Sequence, residues 1–262
     1  SYPFRAYMAG PHSQGPGKIK LDDFAAMAIK RFGIYNINPV VYNFESTDHA
    51  YLEKLRKSIA DAGSHLVGLG LSGAQFWDPD PARVEAAVNY GKKWIDIAIV
   101  LGSPSVRQHL QGSHGVAPDA NRAARSLGRL AEYGARKNVV INLENDDVVN
   151  ENPFFIVKVI EMVRNPYLHA LPDFGNTIRL HGAAYNQRGL TQMFKHALNM
   201  SHVKAEVVGH DGTVYKVDVG KIYGIAKASG YRGYFSMECE SGRQGPFVGT
   251  ERLVKESLKY LA

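Results

Sequence analysis

The chain has 262 residues, of which 45% are hydrophobic and 21% charged. This is ordinary for a globular protein that buries a large core without disulfides, and the single cysteine, Cys239, rules out an internal disulfide. The formal charge of +6 is spread over predicted helices, a modest excess that suits an anionic substrate without forming the basic–aromatic groove of a nucleic-acid binder; no stretch reaches the roughly 18 apolar residues of a membrane span.

From the N-terminus onward one unit recurs: a short β-rich run, a loop, then an amphipathic stretch. Strands are predicted at Pro3–Met8, Gly33–Asn38, His65–Leu71, Ile95–Leu101, Val139–Leu143, Leu168–Leu171, Met200–Lys204 and Gly233–Cys239. They are rich in Val, Ile, Leu, Tyr and Phe, as strands covered on both faces are. The helices between them carry start signals: Asp22 before Asp23-Phe24-Ala25, Ser46 and Thr47 before Tyr51-Leu52, and Pro81, Pro153 and Asp218 in first turns. Gly33, Gly63 and Gly230 stand just past helix ends. The third helix is predicted over Pro81–Trp94, running almost directly into the next strand, and the last over Thr250–Leu261. Eight such units without a composition break predict an α/β fold, a single (β/α)8 TIM barrel with residues 1–262 as one domain. An open doubly wound sheet is disfavoured because no G-x-G-x-x-G follows the first strand. Gly15-Pro16-Gly17 reads as a flexible lid segment. The sequence opens at Ser1 without an initiator Met, which is compatible with a removed export signal and leaves both cytoplasmic and exported locations open.

In a barrel of this kind the active site forms where the strands end. The fifth predicted strand ends Asn142-Leu143-Glu144-Asn145-Asp146, the sixth Leu171-Pro172-Asp173-Phe174-Gly175-Asn176; the seventh reads Ser201-His202-Val203-Lys204, the eighth Ser236-Met237-Glu238-Cys239-Glu240. Four consecutive strands thus each deliver a metal-capable side chain, spaced 29, 29 and 36 residues apart. Singly, each has a plainer role: a solvated glutamate, a hydrogen-bonded histidine, an aspartate capping the turn at Phe174-Gly175. Together they call for a cation, because clustered buried carboxylates repel. Three carboxylates and one imidazole suit a divalent ion, Mn2+ best, with Mg2+, Co2+ and Zn2+ also accommodated. Lys204 falls on the same strand face as His202, where it serves either substrate and proton transfer or a salt bridge to Glu206 or Glu240. By the same parity Ser236 and Glu240 share the Glu238 face, and Met237 and Cys239 point to the helices.

These segments resemble the xylose isomerase-like barrel superfamily, in particular the sugar phosphate isomerase/epimerase family of ketose 3-epimerases, hydroxypyruvate isomerases and inosose dehydratases. The resemblance rests on Asn142-Leu143-Glu144-Asn145, Pro172-Asp173-Phe174-Gly175-Asn176, His202-Val203-Lys204 and Gly230-Tyr231-Arg232-Gly233-Tyr234-Phe235-Ser236-Met237-Glu238. Ser1-Tyr2-Pro3-Phe4 and Gly102-Ser103-Pro104 add to it, so that it covers essentially the whole chain. It implies one divalent ion on Glu144, Asp173, His202 and Glu238. It also implies that Glu144 and Glu238 face each other across a substrate, one removing a proton beside a carbonyl and the other returning one from the opposite side, through an enediolate that the metal stabilises. The implied function is a divalent-metal-dependent isomerase or epimerase of a sugar or sugar-derived ketone. The partner implied is a small carbohydrate, with no nucleic acid or membrane, and assembly into a homo-oligomer stays open.

The chain departs from the family at three places. Asn36-Ile37-Asn38 replaces a glutamate at the end of strand two. Asn176 replaces the ketose 3-epimerase histidine three residues after the aspartate, and Val208 replaces an arginine six residues after the histidine. The sugar contacts of that subgroup therefore do not carry over. Candidates to face substrate are Arg5, Asn38, Trp77, His109, His114 and Asn176, with Arg243 after the last strand as a further anion contact. Each has a plainer alternative: Trp77 as a loop anchor, and His109 and His114 as surface histidines of a long loop. His210-Asp211-Gly212 reads as a hairpin turn. The same site also suits a lyase or dehydratase that eliminates a β-substituent, including from oxidised glycosides. Less favoured are an abasic-site endonuclease, which needs more histidine ligands than the strand ends offer, and a non-catalytic sugar-binding barrel.

Overall fold

The structure, a computed structural model, describes residues 1–10, 17–73, 75–146, 152–209, 211–240 and 245–261. Gly15 and Pro16 of the predicted lid, His210 of the predicted turn and Arg243 lie outside the described residues.

Helix and strand alternate along the chain. Helix α1 (Leu21–Phe32) leads to β1 (Asn36–Ile37), α2 (His49–Asp61) to β2 (His65–Leu66) and β3 (Leu69–Gly70), and α3 (Pro81–Leu101) to β4 (Ser105–Gln108). Next, α4 (Ala120–Lys137) precedes β5 (Val140–Glu144), α5 (Pro153–Val163) precedes β6 (Leu168–Leu171), and α6 (Ile178–Met193) precedes β7 (Met200–Val203). A hairpin of β8 (Glu206–Val208) and β9 (Val214–Lys216) intervenes before α7 (Val219–Ala228), β10 (Tyr234–Met237) and α8 (Gly245–Leu261).

Helices α3, α5 and α7 start where short polar side chains serve exposed N–H groups. Asp80 accepts from the Ala82 amide, Asn152 from Phe155 and Asp218 from Lys221, each cap contributing about 1 kcal/mol. Gly33 and Gly102 close α1 and α3 in the left-handed conformation, at φ 66° and 76°. Amphipathic spacing then fixes which face turns inward. In α4 the buried positions are Ala123, Ser126, Leu127, Leu130, Ala131 and Gly134, one stripe of a helix seated on a sheet.

Parallel pairing runs through the strands as a barrel wall. Asn36 pairs with His65, Gly70 with Arg107, Gln108 with Leu143, Glu144 with Leu171, and Ser236 with His202. Bridges Val40–Gly70 and Asp173–His202 carry the wall across the remaining seams. Each helix packs against its neighbour, and α8 returns to α1. The strands do not close the ring: among the described residues no strand pairs with the outer edge of β1 or of β10.

Two predicted strands are corrected. Pro3–Met8 is a 3-10 turn at Tyr2–Phe4 followed by further turns, with only Met8 bridging Ile19. Proline has no N–H for a ladder, and Phe4 is buried against Phe24, Phe32 and Phe247 of the helix layer. Ile95–Leu101 is the second half of α3, apolar because Trp94, Ile95, Ile97, Ala98 and Leu101 are buried there. The fourth wall strand is instead Ser105–Gln108, fully buried despite its polar side chains. Helix α8 also begins earlier than predicted, at Gly245. The hairpin appears as read, with Val207 opposite Tyr215 in an antiparallel pair. Among the described residues no helix is long and apolar enough to cross a membrane.

Candidate metal and substrate site

Wall register brings the ends of β5, β6, β7 and β10 to one level. One ligand atom from each of Glu144, Asp173, His202 and Glu238 lies within 4.8 Å of the others, and all four residues are buried. Asp173 follows β6 and is held by its neighbours. Its backbone N–H donates to Asn145 Oδ1 at 2.8 Å, and Asn145 Nδ2 donates back to the Asp173 carbonyl at 3.2 Å. Its Oδ1 accepts the Gly175 and Asn176 amides, each at 2.9 Å, so the turn-capping role is real. Its Oδ2 is buried and accepts no hydrogen bond. Its ion-pair neighbour there is Lys204 Nζ at 3.5 Å, and a carboxylate oxygen without a hydrogen bond inside a ring of two carboxylates and an imidazole fits a hard divalent cation.

Each glutamate is paired with cations. Glu144 Oε1 takes His202 Nδ1 at 2.6 Å, and Glu144 Oε2 faces Arg107 Nε at 3.1 Å. Glu238 Oε2 lies 3.4 Å from the same His202 nitrogen and 3.1 Å from Lys204 Nζ. Burial pushes both carboxyls up. For Glu144, His202 and Arg107 outweigh burial and hold it below the usual range. For Glu238, Lys204 and His202 hold it well below. Burial alone would lower the His202 imidazole, but Glu144 and Glu238 lift it to about 10. The Lys204 ammonium is raised well above its ordinary value: burial opposes the charge, but Asp173, Glu238 and Glu240 outweigh it. Asp173 is raised well above its usual range by burial foremost.

A cavity of about 140 Å³ opens beside the two glutamates, walled by Tyr2, Tyr42, Ser72, Arg107, His109 and Asp146 among others. Polar links join the glutamates the long way round it. Arg107 Nη1 donates to His109 Nε2, which leaves the His109 proton on Nδ1, 3.3 Å from Asp146 Oδ2. Asn176 Nδ2 donates to Asp146 Oδ1 at 3.3 Å, and Lys204 Nζ donates to Asn176 Oδ1 at 2.6 Å. Burial, then the Glu144 charge, pushes the Asp146 carboxyl up. Gly70 makes room for this wall: a Cβ there would sit 3.1 Å from Arg107 Nη2 and 2.9 Å from Val40 Cγ1.

Of the candidates to face substrate, His109 lines the cavity and Asn176 sits behind it on Lys204 and Asp146. Arg5 reaches it only through Tyr2, with its guanidinium 4.3 Å from that ring. Asn38 lies lower, in a void of about 10 Å³ beside His202 and Glu238, and its amide donates to Met200 Sδ. Trp77 is fully buried against Phe155, so it anchors its loop and forms no wall of the cavity. His114 is exposed and lines no part of it. Lys204 pairs with Glu240 at 3.1 Å, while Glu206 is taken by Lys216. Cys239 packs toward Gly249 of α8, on the helix side that parity assigns. Arg107, Asp146, Tyr2 and Tyr42 were not singled out from the sequence. Gly102-Ser103-Pro104, which ends α3 and starts a strand at Ser105, is the signal that places Arg107 at a strand end.

The xylose isomerase-like TIM barrel family model matches residues 25–262, and the chain belongs to that family. No curated protein matches it by sequence. Among solved structures, a xylose isomerase-like TIM barrel protein from Mycobacterium smegmatis in complex with magnesium superposes with a TM-score of 0.71 at 17% identity, over 98% of this chain and 95% of that one. D-psicose 3-epimerase with D-tagatose from Clostridium cellulolyticum H10 gives 0.76 at 12%, over 98% and 97%. The 3-keto-D-glucoside 4-epimerase of E. coli gives 0.70 at 14%, over 96% and 97%. At these identities the likeness is one of fold.

Proposed function

We propose that this chain, acting as one domain, is a divalent-metal-dependent isomerase or epimerase of a sugar or sugar-derived ketone. The observation that carries it is the convergence of Glu144 and Glu238, at the ends of β5 and β10, on one His202 nitrogen at 2.6 and 3.4 Å beside an open cavity. The sugar epimerases among its structural likenesses support the same class.

In this reading Glu144, Asp173, His202 and Glu238 hold the ion, with Mn2+ favoured by three carboxylate oxygens and one imidazole. When bound, the ion supplies Lewis-acid stabilisation of negative charge at a substrate carbonyl oxygen. The glutamates do the proton work. Arg107 and Lys204 keep both as carboxylates, each fixed by one oxygen. One takes the proton from the carbon beside the carbonyl, and the other returns a proton to the opposite face. A carboxylate of low pKa serves as base only because the C–H is acidified in the bound substrate. Lys204 holds its proton throughout and donates to a substrate oxygen. Tyr2 and Tyr42 wall the cavity and keep bulk water from the reacting carbon.

The test is incubation of the Mn2+-loaded protein with a panel of ketohexoses and 3-keto-glycosides in D2O, read by NMR. Deuterium appearing beside the carbonyl, with a new epimer, is the expected result, and E238Q should lose at least a hundredfold of it. No exchange on any substrate, or undiminished exchange with E238Q, sinks the proposal. An unsaturated product would assign the same groups to β-elimination.

A further inference from the structure

Three carboxylates and one guanidinium line the cavity beside the site: Glu144, Asp146 and Glu238 against Arg107. Among the described residues Arg107 is the only arginine or lysine in that lining. Its guanidinium is committed to the wall, with Nε 3.1 Å from Glu144 Oε2 and Nη1 donating to the Leu71 carbonyl at 2.8 Å. Arg5 stays outside the lining: its Nη1 donates to the Tyr2 carbonyl at 3.2 Å. Asp173 is answered by Lys204 at 3.5 Å, an ammonium that Glu238 and Glu240 also share. A divalent ion and Arg107 together carry as much positive charge as the three lining carboxylates carry negative. The loaded cavity therefore calls for no charge on its ligand.

Asp146 differs from the two glutamates. It stands outside the metal-capable cluster, and its side chain is 44% exposed, against 2% for Glu144 and 8% for Glu238. Neighbours from two other strand ends fix its direction. His109 Nδ1, just after β4, lies 3.3 Å from Oδ2, and Asn176 Nδ2, just after β6, donates to Oδ1 at 3.3 Å. Asn176 is held in turn by Lys204 Nζ at 2.6 Å. Each carboxylate oxygen can accept more than one hydrogen bond, so Asp146 is a preset acceptor with capacity left toward the cavity. A hydroxyl placed there donates to it. A phosphate or carboxylate placed there has no proton to give and meets a like charge.

We propose that Asp146 is a specificity-determining residue: it receives hydroxyl groups of the substrate beyond the reacting carbons and turns away substrates that carry a phosphate or carboxylate at that end. The substrate class is then an uncharged polyhydroxy ketone, although the chain as a whole carries a formal charge of +6. The inference rests on the isomerase or epimerase reading of the site. It adds what the metal cluster leaves open, because the four clustered residues act at the reacting end and Asp146 acts beyond it.

The test gives the Mn2+-loaded protein matched probes in D2O: D-fructose, D-psicose, D-tagatose and a methyl 3-keto-glucoside, each beside its 6-phosphate and its C6 carboxylate. Deuterium uptake next to the carbonyl is followed by NMR, and kcat and KM are measured for each member. In the unaltered protein the neutral member of a reacting set should exceed its charged partners about a hundredfold in kcat/KM. D146N should lower kcat/KM for the neutral member about tenfold, chiefly through KM, and narrow the neutral-to-charged ratio to about tenfold. D146S serves as a second variant if D146N fails to fold. A purely structural role in holding His109 would lower neutral and charged members alike and leave the ratio where it was. Equal or better use of charged members by the unaltered protein, or an unchanged ratio in the variants, overturns the inference while the exchange itself upholds the reading of the site. Uptake on no member overturns that reading and this inference together.

Discussion

Removing the guanidinium of Arg107 strips two buried acceptors at once, Glu144 Oε2 at 3.1 Å and the Leu71 carbonyl at 2.8 Å. Breaking one side of a buried ion pair costs about 3–5 kcal/mol, so R107A should lower the urea midpoint by a corresponding amount. A midpoint within error of the parent would show that Glu144 does not depend on this arm. His202 carries the second residue-scale prediction. Lifted to about 10 by Glu144 and Glu238 against the opposing effect of burial, it is protonated at neutral pH without an ion, whereas a metal ligand must be neutral. Mn2+ binding should therefore release at least the His202 proton near pH 7, and affinity should rise as pH rises toward about 10. Calorimetric heats in phosphate and Tris should differ by at least one buffer ionisation enthalpy; identical heats would refute the displacement.

At the scale of elements, α4 and β5 set the height of Glu144, and two glycines of α4 separate packing from propensity. A Cβ at Gly134 would meet Ile141 Cδ1 at 2.4 Å and the Val139 carbonyl at 2.5 Å. G134A should then cost about 1–3 kcal/mol by forcing helix and strand apart. At Gly128 a Cβ meets nothing within 4 Å, so G128A should gain about 0.5–1 kcal/mol from helix propensity. Thermal melts of the two variants should move in opposite directions; a shared sign would mean that the helix seat is not tight. Elements also show where reading by pattern stops. Helix starts at Pro81, Pro153 and Asp218 were legible because a cap is a local device. Ser105–Gln108 was not, because the side chains of Ser105 and Arg107 find their partners in groups far along the chain. Ser105 Oγ donates to the Val67 carbonyl and Arg107 to that of Leu71. The apolar run just before it, Ile95–Leu101, belongs to a helix buried on a broad face.

For the whole molecule, four buried metal-capable residues at the ends of β5, β6, β7 and β10 would tie one half of the barrel to a bound ion. An ion that binds only the folded protein stabilises it by about 2.7 kcal/mol at a hundredfold excess over its dissociation constant. Mn2+ should accordingly raise the unfolding midpoint, EDTA should reverse the rise, and D173N, which leaves the Oδ1 turn contacts in place, should abolish it. Equal midpoints with and without Mn2+ for the parent protein would mean that the cluster holds no such ion.

Glu144, Asp173, His202 and Glu238 could be picked out as a set from the sequence because each ends a strand one unit after the last, and strand ends share a level in any barrel of this kind. The sequence by itself thus determined the class of wall, the helices around it and the residues able to meet at its mouth. It did not show that Arg107 and Lys204 each hold one glutamate, that Trp77 turns into the core, or that among the described residues no strand joins β1 to β10. Those depend on which side chains and edges meet across separations of 30 to 200 residues. Burial there decides whether a charge is paired, a ring is covered or a backbone edge is left without a partner.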